Sequence, residues 1–314
     1  MQHKVLITGA NGFIGSHTSR FVESLGHSII PIDVVSRSPD LALLGIKTPS
    51  HLINVTDTSA FRALCERHEP THIFHAAHPP RDESPSVIDY CYHAMTNILE
   101  AAKDLKIKRV VYSSSASIYG QLRKPAGTLV KEEDAVSIYP TYFYRAAKTV
   151  SEWMGDFYNE KYSVDFVALR YSSVYGPGLY RSIPLELKKG ILGQGCRPFL
   201  TRPNDDLIYV DDVVDAVRRA LFTDERLSRA YNIGLDKTYV SDDLKRAIQK
   251  ALPDLQFEIG EHPNAAEVAP HRLRSPLDIS LAQRELDWKP KIYLDEGVAR
   301  LAAWLLEHKS KLQS

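Results

Sequence analysis

Short apolar runs alternate with helix-length amphipathic stretches along the first half of the chain. Val5-Leu6-Ile7-Thr8 is an apolar run that stops at Gly9. A helix-length segment follows from about Phe13 to Leu25, with Gly26 as its stop signal. Ser28 to Ile32 reads as a second strand ending at Asp33, and a helical stretch surrounds Phe61 to Arg67. Thr71 to Phe74 reads as a third strand, followed by a long helix from Pro85 to Leu105. Arg109 to Tyr112 is a fourth strand, Thr141 to Tyr162 a helix, and Val164 to Leu169 a fifth strand. Short apolar strands between amphipathic helices predict a parallel sheet covered on both faces. With right-handed crossovers this is an α/β fold with a doubly wound sheet.

The rhythm loosens after about residue 175. Gly176-Pro177-Gly178, Pro184, Gly190, Gly193, Gly195 and Pro198 interrupt it. Returns to the sheet are predicted at Leu207–Val210 and Ala230–Ile233, with helices over Asp212–Phe222, Ser241–Leu252 and Glu296–His308. We expect a cofactor domain over residues 1–175, with those later returns to its sheet. Residues 176–314 then form mainly a smaller, substrate-binding C-terminal lobe.

Composition narrows the function classes. Of 314 residues, 39 are Lys or Arg and 39 are Asp or Glu, so the formal net charge is zero. That removes the long-range attraction a nucleic-acid or anionic-membrane binder uses, and neither partner is expected. No apolar run approaches the ~20 residues that span a bilayer. Met1-Gln2-His3-Lys4 leads straight into a strand pattern, without a secretory leader. Cys65, Cys91 and Cys196 are odd in number and far apart, which disfavours disulfides or a zinc knuckle. A reducing cytoplasm and no metal are the expectations.

Gly9-Ala10-Asn11-Gly12-Phe13-Ile14-Gly15 spaces three glycines as GxxGxxG between the first strand and the first helix. In that context the first glycine makes a tight turn, the second admits a pyrophosphate, and the third lets helix and strand pack closely. The helix N-terminus adds partial positive charge. This is the turn of a dinucleotide-binding Rossmann fold. Asp33 stands 18 residues beyond Gly15, at the end of the second strand. A carboxylate there hydrogen-bonds the adenosine ribose and repels a 2′-phosphate, so NAD is favoured over NADP. Arg37 lies close behind and softens that preference; the alternative for Asp33 is a plain turn residue. Asp57 either faces the adenine or caps the helix that starts at Thr58.

Tyr144 and Lys148 are four apart, which stacks them on one helix face. Composition alone produces roughly one such pair in a chain like this, so position carries the argument. The pair follows a fourth strand ending in Tyr112-Ser113-Ser114-Ser115-Ala116-Ser117, at the mouth where Rossmann ligands sit. A free phenol has a pKa of ~10 and is a poor base. A lysine cation and a positive nicotinamide lower it toward ~7. The tyrosinate then takes an alcohol proton while the hydride leaves, and Ser115 holds the same oxygen. The bland alternative is a surface Tyr/Lys pair beside a solvated serine loop.

With these residues in view, the chain resembles an extended short-chain dehydrogenase/reductase of the NAD-dependent epimerase/dehydratase group, from Val5 to about Val298. The resemblance rests on TGANGFIG, FHAA at Phe74–Ala77, SSSASIYG at Ser113–Gly120 and the Tyr144/Lys148 pair. It continues in LRYSSVYGPG from Leu169, LIYVDDVVDA from Leu207, YNIG from Tyr231 and DISLAQRELDWKPKIYLDEGV from Asp278. It implies Tyr144 as acid/base, Lys148 on the nicotinamide ribose and Ser115 on the substrate. It further implies cofactor contacts from Gly9, Asn11, Gly12, Phe13, Ile14, Gly15, Asp33, Asp57, Ala76, Ala77, His78, Ser113, Tyr171 and Ser172.

Dehydratases and decarboxylases of this group are similar in placing an acid one or two positions after the serine; here those positions hold Ala116 and Ser117. Epimerisation or net dehydrogenation is therefore implied over elimination. Three departures bear on the substrate. Cys91–Met95 replaces the usual NVxGT, Ser173 replaces an asparagine, and Asp205 stands where relatives hold an arginine for the diphosphate. Arg181 and Arg202 are candidates to compensate, with Arg81, Ser115 and Ser173 as further substrate contacts. Arg272 and Arg274 are additional anion-binding candidates. The resulting expectation is a (nucleotide-)sugar epimerase with a sugar-like small-molecule substrate. The alternatives are a dehydrogenase or reductase of a smaller polyhydroxy or keto compound, and a non-catalytic dinucleotide sensor. Family resemblance also implies a homodimer that pairs the Pro85–Leu105 and Thr141–Tyr162 helices.

Overall fold

The computed structural model describes residues 2–79, 84–120, 124–125, 128–134, 143–196, 198–201, 206–261 and 275–312. The first half alternates as its pattern predicts, with two short elements, α2 and β3, that the pattern did not announce: β1 (Lys4–Thr8), α1 (Phe13–Ser24), β2 (Ser28–Asp33), α2 (Pro39–Ala42), β3 (His51–Leu52), α3 (Thr58–His68), β4 (His72–His75) and α4 (Ser86–Asp104). Then come β5 (Arg109–Ser115), a 3-10 turn over Ala116–Tyr119, α5 (Phe143–Tyr162) and β6 (Phe166–Tyr171). The predicted start of α5 at Thr141 lies outside the described residues. Gly26 adopts φ +79° just past α1, the left-handed conformation that a glycine stop supplies.

Seven strands pair in parallel in the order β10-β6-β5-β4-β1-β2-β3 among the described residues, with β10 at Ala230–Ile233. Strand alternation sends neighbours to opposite faces, and both faces are covered. Val5 and Ile7 join a cluster with Val22 of α1 and with Val213 and Val217 of α7 (Val210–Phe222). Leu6 joins the other cluster with Phe61 of α3 and Met95 and Ile98 of α4.

A third cluster builds the smaller lobe. It joins Leu187 of α6 (Ser182–Ile191), Leu244 and Ile248 of α8 (Ser241–Ala251), and Leu301 and Leu305 of a C-terminal helix over Leu294–Glu307. Two short parallel pairs complete it. One pairs β7 (Ser173–Tyr175) with β9 (Leu207–Tyr209), and the other pairs β8 (Phe199–Thr201) with β11 (Ile259–Glu261).

This corrects one expectation. Leu207–Val210 does not return to the main sheet. Ser173 donates its N–H to the Asp206 carbonyl (2.9 Å), which draws the segment onto β7 instead. The other predicted return, Ala230–Ile233, does pair with β6. A short helix, α9 (Ser280–Glu285), precedes α10 (Leu294–Glu307). Between them the buried Trp288 indole donates to the Asp212 carbonyl (2.9 Å), and the Asp212 carboxylate accepts the N–H groups of Lys291 and Ile292. These bonds tie the C-terminal segment to α7.

Candidate active site

The three glycines of the first turn have different reasons to be glycine. Gly9 adopts φ +67°, and a Cβ there would lie 2.7 Å from the Ala77 nitrogen. A Cβ on Gly15 would lie 2.0 Å from the Gly9 carbonyl oxygen. Gly12 has ordinary extended angles (φ −77°, ψ 176°), and its Cβ would meet only the Gly9 oxygen, at 3.3 Å. The chain's own packing demands glycine at 9 and 15 but not at 12. The bare backbone of Gly12, at the uncapped start of α1, lines a hollow of about 350 Å³ together with Asn11 and Phe13. That is the surface a close-lying diphosphate requires.

Asp33 is fixed beside this turn. One carboxylate oxygen accepts the Asn11 N–H (2.9 Å), and the other accepts those of Val34 (2.7 Å) and Val35 (3.3 Å). The Asn11 side chain in turn donates to the Val35 carbonyl (2.7 Å) and accepts the Ser50 hydroxyl. Arg37 folds back onto α1, where its Nε donates to the Ser16 hydroxyl (3.3 Å). Asp57 caps α3 by accepting the Ala60 N–H (3.0 Å) on one carboxylate oxygen. Ala76 and Ala77 lie across from Gly9, each donating its N–H to Thr8, to the carbonyl and the hydroxyl oxygen respectively.

The second half of the site forms at the end of β5. Ser113, Ser114 and Ser115 continue the strand beyond its apolar part, in register with Leu169, Arg170 and Tyr171 of β6. Lys148 is only 3% exposed. Its Nζ donates to the Ser113 carbonyl (2.7 Å) and lies 4.8 Å from the Tyr112 ring centre and 5.6 Å from that of Tyr144. Tyr144 is half-buried, and its ring meets that of His78 at 4.7 Å. The Ser115 hydroxyl accepts the Ser117 N–H (3.2 Å), which starts the 3-10 turn.

Burial pushes the phenols of Tyr112, Tyr119 and Tyr171 upward, so these neighbours stay protonated and do not compete as bases. Ser172 is half-buried beside Gly234, and Ser173 is exposed on β7. Arg181 is exposed at the start of α6 and lines the hollow at the glycine turn. Arg81, Arg202, Asp205, Arg272 and Arg274 lie outside the described residues.

Sequence reasoning missed what backs this site. The Glu152 carboxylate accepts the Ser114 hydroxyl and pairs with Arg170 (2.7 Å), both side chains being buried. Arg170 also donates to the Tyr119 hydroxyl (2.7 Å) and the Glu132 carbonyl (3.0 Å). Tyr119 donates to Asn232 of β10 (2.7 Å), whose own N–H reaches the Glu132 carboxylate (2.8 Å). Glu152 was findable, because it stands four residues after Lys148 on the same helix face. Its partners come from distant strands and left no local signal.

Residues 5–234 match the NAD dependent epimerase/dehydratase family. The chain belongs to that family. UDP-glucuronate 4-epimerase 4 of Arabidopsis thaliana is 28% identical, with 98% of this chain and 76% of the relative covered. UDP-glucuronate 4-epimerase of Thermodesulfobacterium geofontis is 25% identical, with 98% of each covered. Among solved structures, the UDP-glucose 4-epimerase of Thermotoga maritima with UDP-glucose superposes with a TM-score of 0.83 at 21% identity, covering 98% of this chain and 99% of that one. A partial-consensus L-threonine 3-dehydrogenase superposes with a TM-score of 0.80 at 21% identity, covering 97% and 99%.

The extended short-chain dehydrogenase/reductase resemblance is thereby shown, as is the Rossmann-like fold with its added C-terminal lobe. The family's cofactor is NAD, and the bare Gly12 backbone beside a fixed Asp33 fits it. No helix among the described residues is long and apolar enough to cross a membrane.

Proposed function

We propose that this family member is an epimerase acting on a secondary alcohol of a nucleotide-linked sugar. NAD, when bound, supplies a reversible hydride acceptor. Tyr144 takes the hydroxyl proton as that hydride leaves the carbon and gives it back when the hydride returns, so no net oxidation results. Lys148 lies beside the Tyr144 ring and favours its phenolate. Ser115 holds the reacting oxygen, and residues after 176 supply most of the sugar's enclosure. The observation that carries this reading is the convergence on one strand end. Lys148, one helical turn from Tyr144, is bonded to the Ser113 carbonyl two residues before Ser115. Two further points favour epimerisation over elimination: no acid follows Ser115 at positions 116 or 117, and the two sequence relatives named above are 4-epimerases.

The test is incubation of purified protein with UDP-glucuronate and UDP-glucose, followed by proton NMR and absorbance at 340 nm. The expected result is a 4-epimer with no growth at 340 nm. NADH formed in proportion to substrate consumed would establish net dehydrogenation instead. That second reading draws on the L-threonine 3-dehydrogenase that shares the fold.

The assembly we propose is a homodimer. Tyr92 on α4 and Trp153 and Phe157 on α5 are 49%, 60% and 53% exposed. Trp153 and Phe157 are one turn apart, so they present one aromatic face beside the packed α4–α5 pair. Light scattering is expected to return twice 35.4 kDa.

A further inference from the structure

The hollow beside the glycine turn has a second wall from far along the chain. Asn11, Gly12 and Phe13 form one side, and Gly178 to Arg181 form another. Arg181 alone among the lining residues carries a charge, and that charge is positive. A dinucleotide lying on Gly12 brings two anionic phosphates to this wall.

The wall is held down at three points. Buried His17 of α1 hydrogen-bonds the Pro177 carbonyl through Nε2 (2.9 Å). Gly178 packs so closely on Leu41 that a Cβ there would lie 2.4 Å from Leu41 Cδ2. Lys188 of α6 pairs with Asp40 of α2 at 2.7 Å, with side chains only 12% and 5% exposed. Lys188 also lies 5.6 Å from the Tyr180 ring centre. The smaller lobe is thus tied to the loop that follows Asp33, with the hollow between them.

We propose that Arg181 binds the NAD diphosphate rather than the sugar substrate. The segment 177–181, locked by Lys188 and Asp40, then retains the dinucleotide between turnovers. The inference rests on NAD binding at the glycine turn and is independent of which sugar is used. Guanidinium–phosphate bonds are charge-assisted and short-ranged, so the contribution tracks the diphosphate and not the nucleoside. A retained NAD stays on the protein through both halves of a reversible oxidation, as an epimerase needs.

Calorimetry on cofactor-stripped protein tests the first part without any sugar. Arg181→Met should weaken NAD and ADP binding at least tenfold while leaving adenosine within twofold. Equal loss for adenosine, or NAD binding within twofold of wild type, overturns the assignment. Weakened UDP binding with unchanged NAD binding returns Arg181 to the substrate side and also overturns it. For the latch, the double variant Asp40→Asn with Lys188→Met leaves no unpaired charge. NAD release from its holoprotein, followed by exchange into labelled NAD, should be several-fold faster; an unchanged rate sinks the retention role. Loss of sugar epimerisation in wild type would count against the proposed function alone, because none of these readouts uses it.

Discussion

Single residues divide the site into parts that chemistry requires and parts that packing requires. Tyr144→Phe removes only the hydroxyl, so we expect turnover to fall by ~10²–10⁴-fold with NAD affinity retained. Stopped substrate conversion alongside normal NAD titration is the pattern to look for; near-normal turnover would remove Tyr144 from the mechanism. The glycines separate in the same way. Gly12→Ala should fold and lose NAD affinity, because its Cβ enters the ligand's space and touches the protein only at 3.3 Å. Gly15→Ala should fail to fold, because its Cβ would overlap the Gly9 carbonyl. Thermal melts of the two variants, each with and without NAD, distinguish these outcomes. At this scale the sequence was readable wherever a residue's partner is local. The glycine spacing and the Tyr144/Lys148 pair follow from short separations, and Asp33 from its place at the end of the second strand. Arg170 and Asn232 act on the site across β6 and β10, and no period or motif announces such contacts.

Elements were legible in proportion to their length and pattern. The helices α1, α3, α4, α7 and α8 stand close to where their apolar spacing puts them. Helix α6 went unread because Pro184 and Gly190 look like loop residues. Pro184 is the third residue of that helix, where the missing N–H has no intrahelical partner to lose. Strand β5 runs three residues beyond its apolar pattern because the serines pair with β6 while their hydroxyls find other partners. That extension fastens α5 to β5 at successive turns, by Lys148 on Ser113 and by Glu152 on Ser114. Cutting the second fastening with Glu152→Ala leaves Arg170 buried without its carboxylate, which costs about 3–5 kcal/mol for a buried pair. A large drop in melting temperature is expected. A melting temperature unchanged from wild type would mean that the network does not support the site.

The whole molecule carries histidines that burial keeps neutral. Desolvation first, then neighbouring positive groups, lower His72 and His75 from 6.5 to about 3. Between those values the unfolded chain binds more protons than the folded one, so stability rises with pH across the window. It is fully present above 6.5 and declines as pH falls below it. Melting temperature should therefore drop from pH 7.5 to 5.5, with a shallower slope in His72→Gln; a flat profile would contradict this. Association belongs to the same scale. Trp153→Glu with Phe157→Glu should convert the proposed dimer to a 35.4 kDa particle with secondary structure intact, as read by light scattering and circular dichroism. The cross-links behind the turn that follows Ser115 also impose an order in time. A chain emerging from its N-terminus carries Ser115 and Tyr144 long before Asn232, which binds Tyr119, and long before Leu277, which bridges Val130. The glycine turn meets Asp33 and Ala77 within the first 80 residues, while the turn after Ser115 is backed by residues as late as Asn232 and Leu277.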